Sequence, residues 1–121
     1  MRGFGELEAA IMERLWSWGR PAIVREVLDD LRKDRDLAYT TVMTVMDNLH
    51  RKGWLTRERE GRAYRYQPVA SRQDYNAELM REVLDGSGDQ AGTLLRFVEN
   101  VTPEEADAIR RALRTRGSGR Q

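Results

Sequence analysis

A chain of 121 residues, 34% charged and 40% hydrophobic with a net charge of +1, suits one ordered domain or a small domain with an appendage. It has no cysteine, which excludes disulfides, thiolate metal sites and a cysteine nucleophile. Its single histidine, His50, makes a multi-histidine metal site impossible and leaves a serine hydrolase without its usual base, so neither an enzyme nor a metal or other cofactor is expected. In chain order, Leu7, Ala10, Ile11, Leu15 and Trp18 recur at helical spacing and predict a first helix from Glu6 to Trp18. Gly19 ends it and Pro21 prevents it from resuming. Val24, Val27, Leu28 and Leu31 predict a second helix from Val24 to Lys33. A third, from Tyr39 to Lys52, carries the stripe Val42, Val45, Met46 and Leu49 and stops at Gly53. Both connections are short, so the three helices pack as one unit.

The next stretch, Trp54 to Arg59, then Glu60-Gly61, then Arg62 to Gln67, reads as a β-hairpin closed by Pro68. The two-residue period puts Tyr64 and Tyr66 on one face, where they are expected to pack on the helices, and Ala63, Arg65 and Gln67 on the other. Three helices and a hairpin make a winged helix. Helical periodicity then returns from Arg72 to Asp85 and from Gln90 to Asn100, separated by Gly86-Ser87-Gly88. Thr102-Pro103-Glu104-Glu105 is a capping box with proline at the first helical position, and it opens a last helix carrying Ala106, Ile109, Ala112 and Leu113.

The fold class is therefore mainly α with a small β-hairpin wing. Residues 1–69 are expected to form a winged helix-turn-helix domain of the DNA-binding kind, 70–116 a helical dimerisation region and 117–121 a disordered tail. The helical region is too small to bury a core of its own. Its stripes, with Tyr75, Leu79, Val83, Leu94, Leu95, Val98, Ile109 and Leu113, suggest pairing with a second copy; packing back on the first domain is the alternative. No apolar run is long enough to cross a bilayer and the first residues hold no signal-peptide core, so a cytoplasmic location without membrane insertion is expected.

Charge is concentrated rather than spread. Between Arg51 and Arg65 six basic residues stand against Glu58 and Glu60, whereas the stretch from Ser71 onward holds eight basic and nine acidic residues. A local positive excess is what a phosphate-binding surface needs. With the apolar stripe of the third helix turned inward, its other face presents Tyr39, Thr40, Thr41, Met43, Thr44, Asp47, Asn48 and Arg51, with Lys52 at the far end. Short hydroxyl and amide side chains near a helix N-terminus suit major-groove contact, and the same N-terminus suits phosphate. Asp47 would be repelled by phosphate; it either pairs with Arg51 four residues on or accepts from a cytosine amino group. Arg62 follows the turn glycine and should sit at the wing tip, within reach of phosphate or minor groove. Arg57, Arg59 and Arg65 are weaker candidates because strand arginines often only solvate an edge.

The run Leu37 to Leu49 with Arg51-Lys52-Gly53, together with Gly5 to Glu8, Val24 to Leu28 and Gly61 to Tyr66, resembles the BlaI/MecI/CopY penicillinase-repressor family, nearest its BlaI branch. The likeness is strong over residues 4–68 and lies in length and helical layout beyond. It implies a winged-helix homodimer that represses β-lactamase and sensor genes of antibiotic resistance at dyad DNA operators. In that family a membrane sensor metalloprotease answers β-lactam, and cleavage at an Asn-Phe bond in the C-terminal region releases the DNA. Here the corresponding place is Arg96-Phe97, without the asparagine. The copper-responsive branch carries C-terminal cysteine pairs that this chain lacks, which argues against metal sensing. Two other classes stay open at this point: a winged helix used only for protein–protein contact, and a DNA-binding regulator that senses a small ligand.

Overall fold

A computed structural model describes residues 3–118. Helix α1 spans Glu6–Trp18, as its periodicity dictates. The Gly5 N–H donates to the Glu8 carboxylate (3.0 Å) at its start. It ends at Gly19 with φ +65°, a conformation that glycine adopts without a Cβ penalty. Helix α2 spans Val24–Leu31 and stops two residues before the expected Lys33. The N–H groups of Lys33 and Asp34 reach back only three residues, to the carbonyls of Asp30 and Leu31, so the chain leaves the helix through a tightened turn. Helix α3 spans Tyr39–Arg51, and Lys52 caps it.

The hairpin pairs β1 (Leu55–Glu60) with β2 (Ala63–Pro68), Leu55 opposite Pro68 and Glu60 opposite Ala63. Its turn is Gly61-Arg62, one residue later than the sequence suggested. A two-residue loop with positive φ at its first position suits glycine there, and Gly61 has φ +64°. Ala22 adds a one-residue bridge to the free side of β2, exchanging hydrogen bonds with Tyr66 at 2.9 and 2.8 Å. That bridge ties the wing to the α1–α2 connection.

Ile11, Leu15, Val27, Leu28, Leu31, Val42, Met46 and Leu49 from the three helices meet Leu55 and Tyr66 from the hairpin in one buried cluster. Tyr64 packs against its rim, so both wing tyrosines lie on the helices. A second, aromatic cluster flanks the core. Phe4 stacks on Tyr75 with ring centres 4.1 Å apart, and Trp54 meets both rings edge-on. The Tyr75 hydroxyl accepts from the Phe4 N–H (2.9 Å), and the Trp16 indole donates to the Ala70 carbonyl (2.9 Å). These contacts, with the Arg72–Glu13 ion pair, hold the start of α4 (Arg72–Asp85).

Contacts divide the chain into two units, one through Leu79 and one from Met80. In the second unit, Asp89 caps α5 (Gln90–Glu99) by accepting from the Gly92 N–H. Helix α6 (Pro103–Ser118) opens with the expected reciprocal bonds between Thr102 and Glu105, at 2.9 and 3.1 Å. It continues past Gly117, on a run rich in arginine, a good helix former. Residues 119–121 of the expected tail lie outside the described residues. Among the described residues of this unit none is buried, and Met80, Val83, Leu94, Leu95, Phe97, Val98 and Leu113 are exposed. No described helix is long and apolar enough to cross a membrane.

Candidate nucleic-acid interface

Burial of Val42, Met46 and Leu49, with Val45 half-buried, turns one face of α3 to the core and leaves the other open. Tyr39, Thr40, Thr41, Met43, Thr44, Asn48 and Arg51 are all exposed on it. Ala38 precedes the helix and has no side chain with which to cap it. The first-turn N–H groups therefore sit at an uncapped positive helix end beside three threonine or tyrosine hydroxyls. Arg25 of α2, not singled out by sequence reading, lies over the Tyr39 ring at 5.4 Å and adds a cation there. The available sign was its place on the solvent face of the preceding helix.

The basic run sorts into engaged and free members. Lys52 donates to the Glu8 carboxylate (2.8 Å) and so pins the end of α3 to the start of α1. That hydrogen bond is the main reason the Glu8 carboxyl lies below its ordinary range. Arg65 holds Glu60 at 2.6 Å, which lowers the Glu60 carboxyl and raises the Arg65 guanidinium. Arg59 donates to the Gly61 carbonyl (3.1 Å) and lies 5.5 Å from the centre of the Tyr64 ring. Arg57 is drawn inward, to Asp47 and Tyr66. Arg62 occupies the turn itself and is exposed, with no ion-pair partner among the described residues. Arg51 is exposed but salt-bridged to Asp47 at 3.0 Å. His50 Nδ1 lies 3.0 Å from the Leu55 carbonyl, which only accepts, so this nitrogen carries the proton and the side chain joins α3 to β1.

The residues expected to join two copies separate in the same way. Val83, Leu94, Leu95, Val98 and Leu113 are exposed, and Leu79 and Ile109 are half-buried. Tyr75 stands apart from them, buried in the aromatic cluster of the first unit. Arg96 and Phe97 lie in the last turn of α5, both exposed.

Residues 4–115 match the family described as penicillinase repressor. The chain belongs to the penicillinase repressor family. It is 47% identical over 112 residues to the transcriptional regulator BlaI of Mycobacterium tuberculosis, covering 90% of this chain and 81% of that protein. An uncharacterised 16.5 kDa protein of Latilactobacillus sakei is 28% identical over 84% of this chain and 70% of its own length. The solution structure of the DNA-binding domain of the repressor BlaI superposes with a TM-score of 0.51 at 26% identity, covering 62% of this chain and 94% of that one. A member of the penicillinase repressor family is a DNA-binding transcriptional repressor and not an enzyme. The three helices and the hairpin of residues 6–68 form a winged helix.

Proposed function

We propose that the chain represses transcription as a homodimer on a dyad operator, controlling genes of the β-lactam response from the cytoplasm. One observation carries the reading: an exposed, hydroxyl-rich helix with an uncapped N-terminus shares one buried core with a hairpin that ends in a free arginine. Tyr39, Thr40, Thr41, Thr44 and Asn48 face base edges and flanking phosphates in the major groove, and Arg51 lies further along the same face. Arg62 reaches the backbone or minor groove beside it. Lys52 contributes to DNA only by leaving Glu8.

Two copies reading successive major grooves stand about 34 Å apart, so something must join them. The exposed apolar side chains of Leu94, Leu95, Val98 and Leu113 supply a surface that a second copy would cover. Losing that surface leaves each copy with one half-site and removes the gain from linked binding. A sensor-associated protease cutting at Arg96-Phe97 would act this way, after unwinding a turn of α5 to reach the bond.

Fluorescence anisotropy tests the reading, with a palindromic duplex selected from random sequence by the protein and a scrambled duplex, across a salt series. The palindrome is expected to bind on the order of a thousandfold more tightly, as one dimer per duplex. Log affinity should fall linearly with log salt. Equal, weak binding to both duplexes would overturn the proposal and leave the winged helix a protein-contact module.

A further inference from the structure

Asp47 presents a contradiction on the recognition helix: it is a carboxylate on the side of α3 that faces phosphate. The structure answers it with two guanidinium groups. Arg51 Nε lies 3.0 Å from one carboxylate oxygen, and Arg57 Nη1 lies 2.9 Å from the other. These two arginines differ in what else they do. The Arg51 side chain keeps 74% of its surface exposed, whereas Arg57 keeps 23%. The same Nη1 of Arg57 also donates to the Tyr66 hydroxyl at 3.3 Å, and the guanidinium lies 4.1 Å from the centre of the Tyr64 ring. Hydrogen bonds to Tyr66 and Asp47 hold it more firmly protonated than usual.

These partners belong to different elements. Asp47 is on α3, Arg57 on β1, and Tyr64 and Tyr66 on β2. Tyr66 is itself fixed, buried in the core and bridged to Ala22. We infer that Arg57 is a positioning residue for DNA recognition, locking the recognition helix to the wing through Asp47 and the two tyrosines without touching DNA itself. The inference rests on the DNA-binding reading above. It also favours the pairing role of Asp47 over base reading, since each carboxylate oxygen is already engaged by a guanidinium.

The consequence is specific. Base contacts from α3 and backbone contacts from the wing tip must be made together, so the angle between helix and hairpin sets discrimination, while the count of phosphates neutralised sets salt dependence. A planar fork is needed to stack on one ring while donating to two oxygens, and lysine supplies only a point charge.

The test uses the full chain, the selected palindrome, the scrambled duplex and a salt series. Arg57→Gln is expected to lower the palindrome-to-scrambled affinity ratio about tenfold or more with the salt slope unchanged, whereas Arg62→Ala should reduce that slope by about 1.8, one phosphate from each protomer of the bound dimer. Arg57→Lys should fail to restore discrimination although it restores the charge. Asp47→Asn, nearly isosteric, should cause the same loss and add nothing on top of Arg57→Gln, since both remove one link; it keeps the test decisive if Arg57→Gln does not fold. A slope that falls by about 1.8 in Arg57→Gln and returns in Arg57→Lys would make Arg57 a phosphate contact and overturn the inference. Unchanged discrimination in Arg57→Gln would overturn it too, and loss at a single base pair confined to Asp47→Asn would return Asp47 to base reading. A wild-type protein that does not prefer the palindrome would sink the DNA-binding reading and this inference with it, an outcome recognisable before any variant is made.

Discussion

The two units of the chain use the same amphipathic helices to opposite ends. In the first, the stripes of α1, α2 and α3 face one another and the hairpin closes over them, so Leu28, Met46 and Leu49 are fully buried. In the second, α5 and α6 carry stripes as regular, yet Leu95 keeps 61% of its surface exposed and Leu113 62%. Periodicity thus states that a face will be covered without stating by what. Three facing stripes with a hairpin laid over them close a core, whereas α5 and α6, though near neighbours along the chain, have no such lid and leave their stripes open.

Truncating one leucine in each unit would break or sharpen that contrast most sharply. Leu49→Ala is expected to destabilise the first unit by about 2–5 kcal/mol, because the removed methyls leave a cavity in a core with no slack. Urea unfolding followed by tryptophan emission reads this unit, since Trp16, Trp18 and Trp54 all lie in it. Leu95→Ala should leave the same transition within about 0.5 kcal/mol, as surface substitutions usually do. Equal losses in the two variants would mean that α5 is part of the first unit's core after all.

The next effect falls on assembly. Leu95→Glu combined with Val98→Glu puts two carboxylates on the surface proposed to meet a second copy. Sedimentation should then find a monomer, and operator affinity should fall about 10²- to 10⁴-fold as linked binding is lost. The tryptophan-reported transition should survive in the monomer. A dimer that persists with full affinity would move the interface off α5.

The same contrast explains what was legible in the sequence. Helix α1, the inward stripe of α3, the capping box at Thr102 and the glycine turn of the wing are local statements, made by spacing and by residues that favour one backbone conformation. Partners distant in sequence were not legible. Tyr75 stands in helical register with Leu79 and Val83 and reads as one stripe with them, yet Phe4, from the other end of the unit, and Trp54, from the turn between α3 and β1, enclose it. Lys52 and Arg51 are adjacent cations; Asp47, four residues before Arg51, was within sight as its partner, but nothing local showed that Glu8, 44 residues away, takes Lys52. Arg57 looked like a solvated strand residue because its value lies in three contacts on two other elements. The Ala22 bridge is a single residue, too short to leave a pattern.

The smallest effect concerns those distant pairs and is read by pH. Among the described residues four carboxyls of the first unit lie below their ordinary range: Glu8 chiefly through Lys52, Glu26 through the Ile23 N–H, Asp30 through Arg14 and Glu60 through Arg65. Each is more acidic folded than unfolded, so on acidification the unfolded chain takes up protons first. The stability they confer is complete above the ordinary carboxylate range, about pH 4–5, and is lost as pH falls through the lowered values. Lys52→Met removes the main cause at Glu8 and keeps the apolar stem. The urea midpoint at pH 7 should drop by the equivalent of less than about 1 kcal/mol, as for a partly exposed ion pair. The gap between variant and wild type should close on acidification, once Glu8 is protonated in both. A gap that persists in acid would mean that Lys52 acts through packing rather than charge. An unchanged salt slope of DNA binding in the same variant would show that the ammonium stays on Glu8 in the complex. A slope lowered by about 1.8, one phosphate per protomer, would show it exchanging the carboxylate for a phosphate, so that the pin between α3 and α1 opens when DNA is bound.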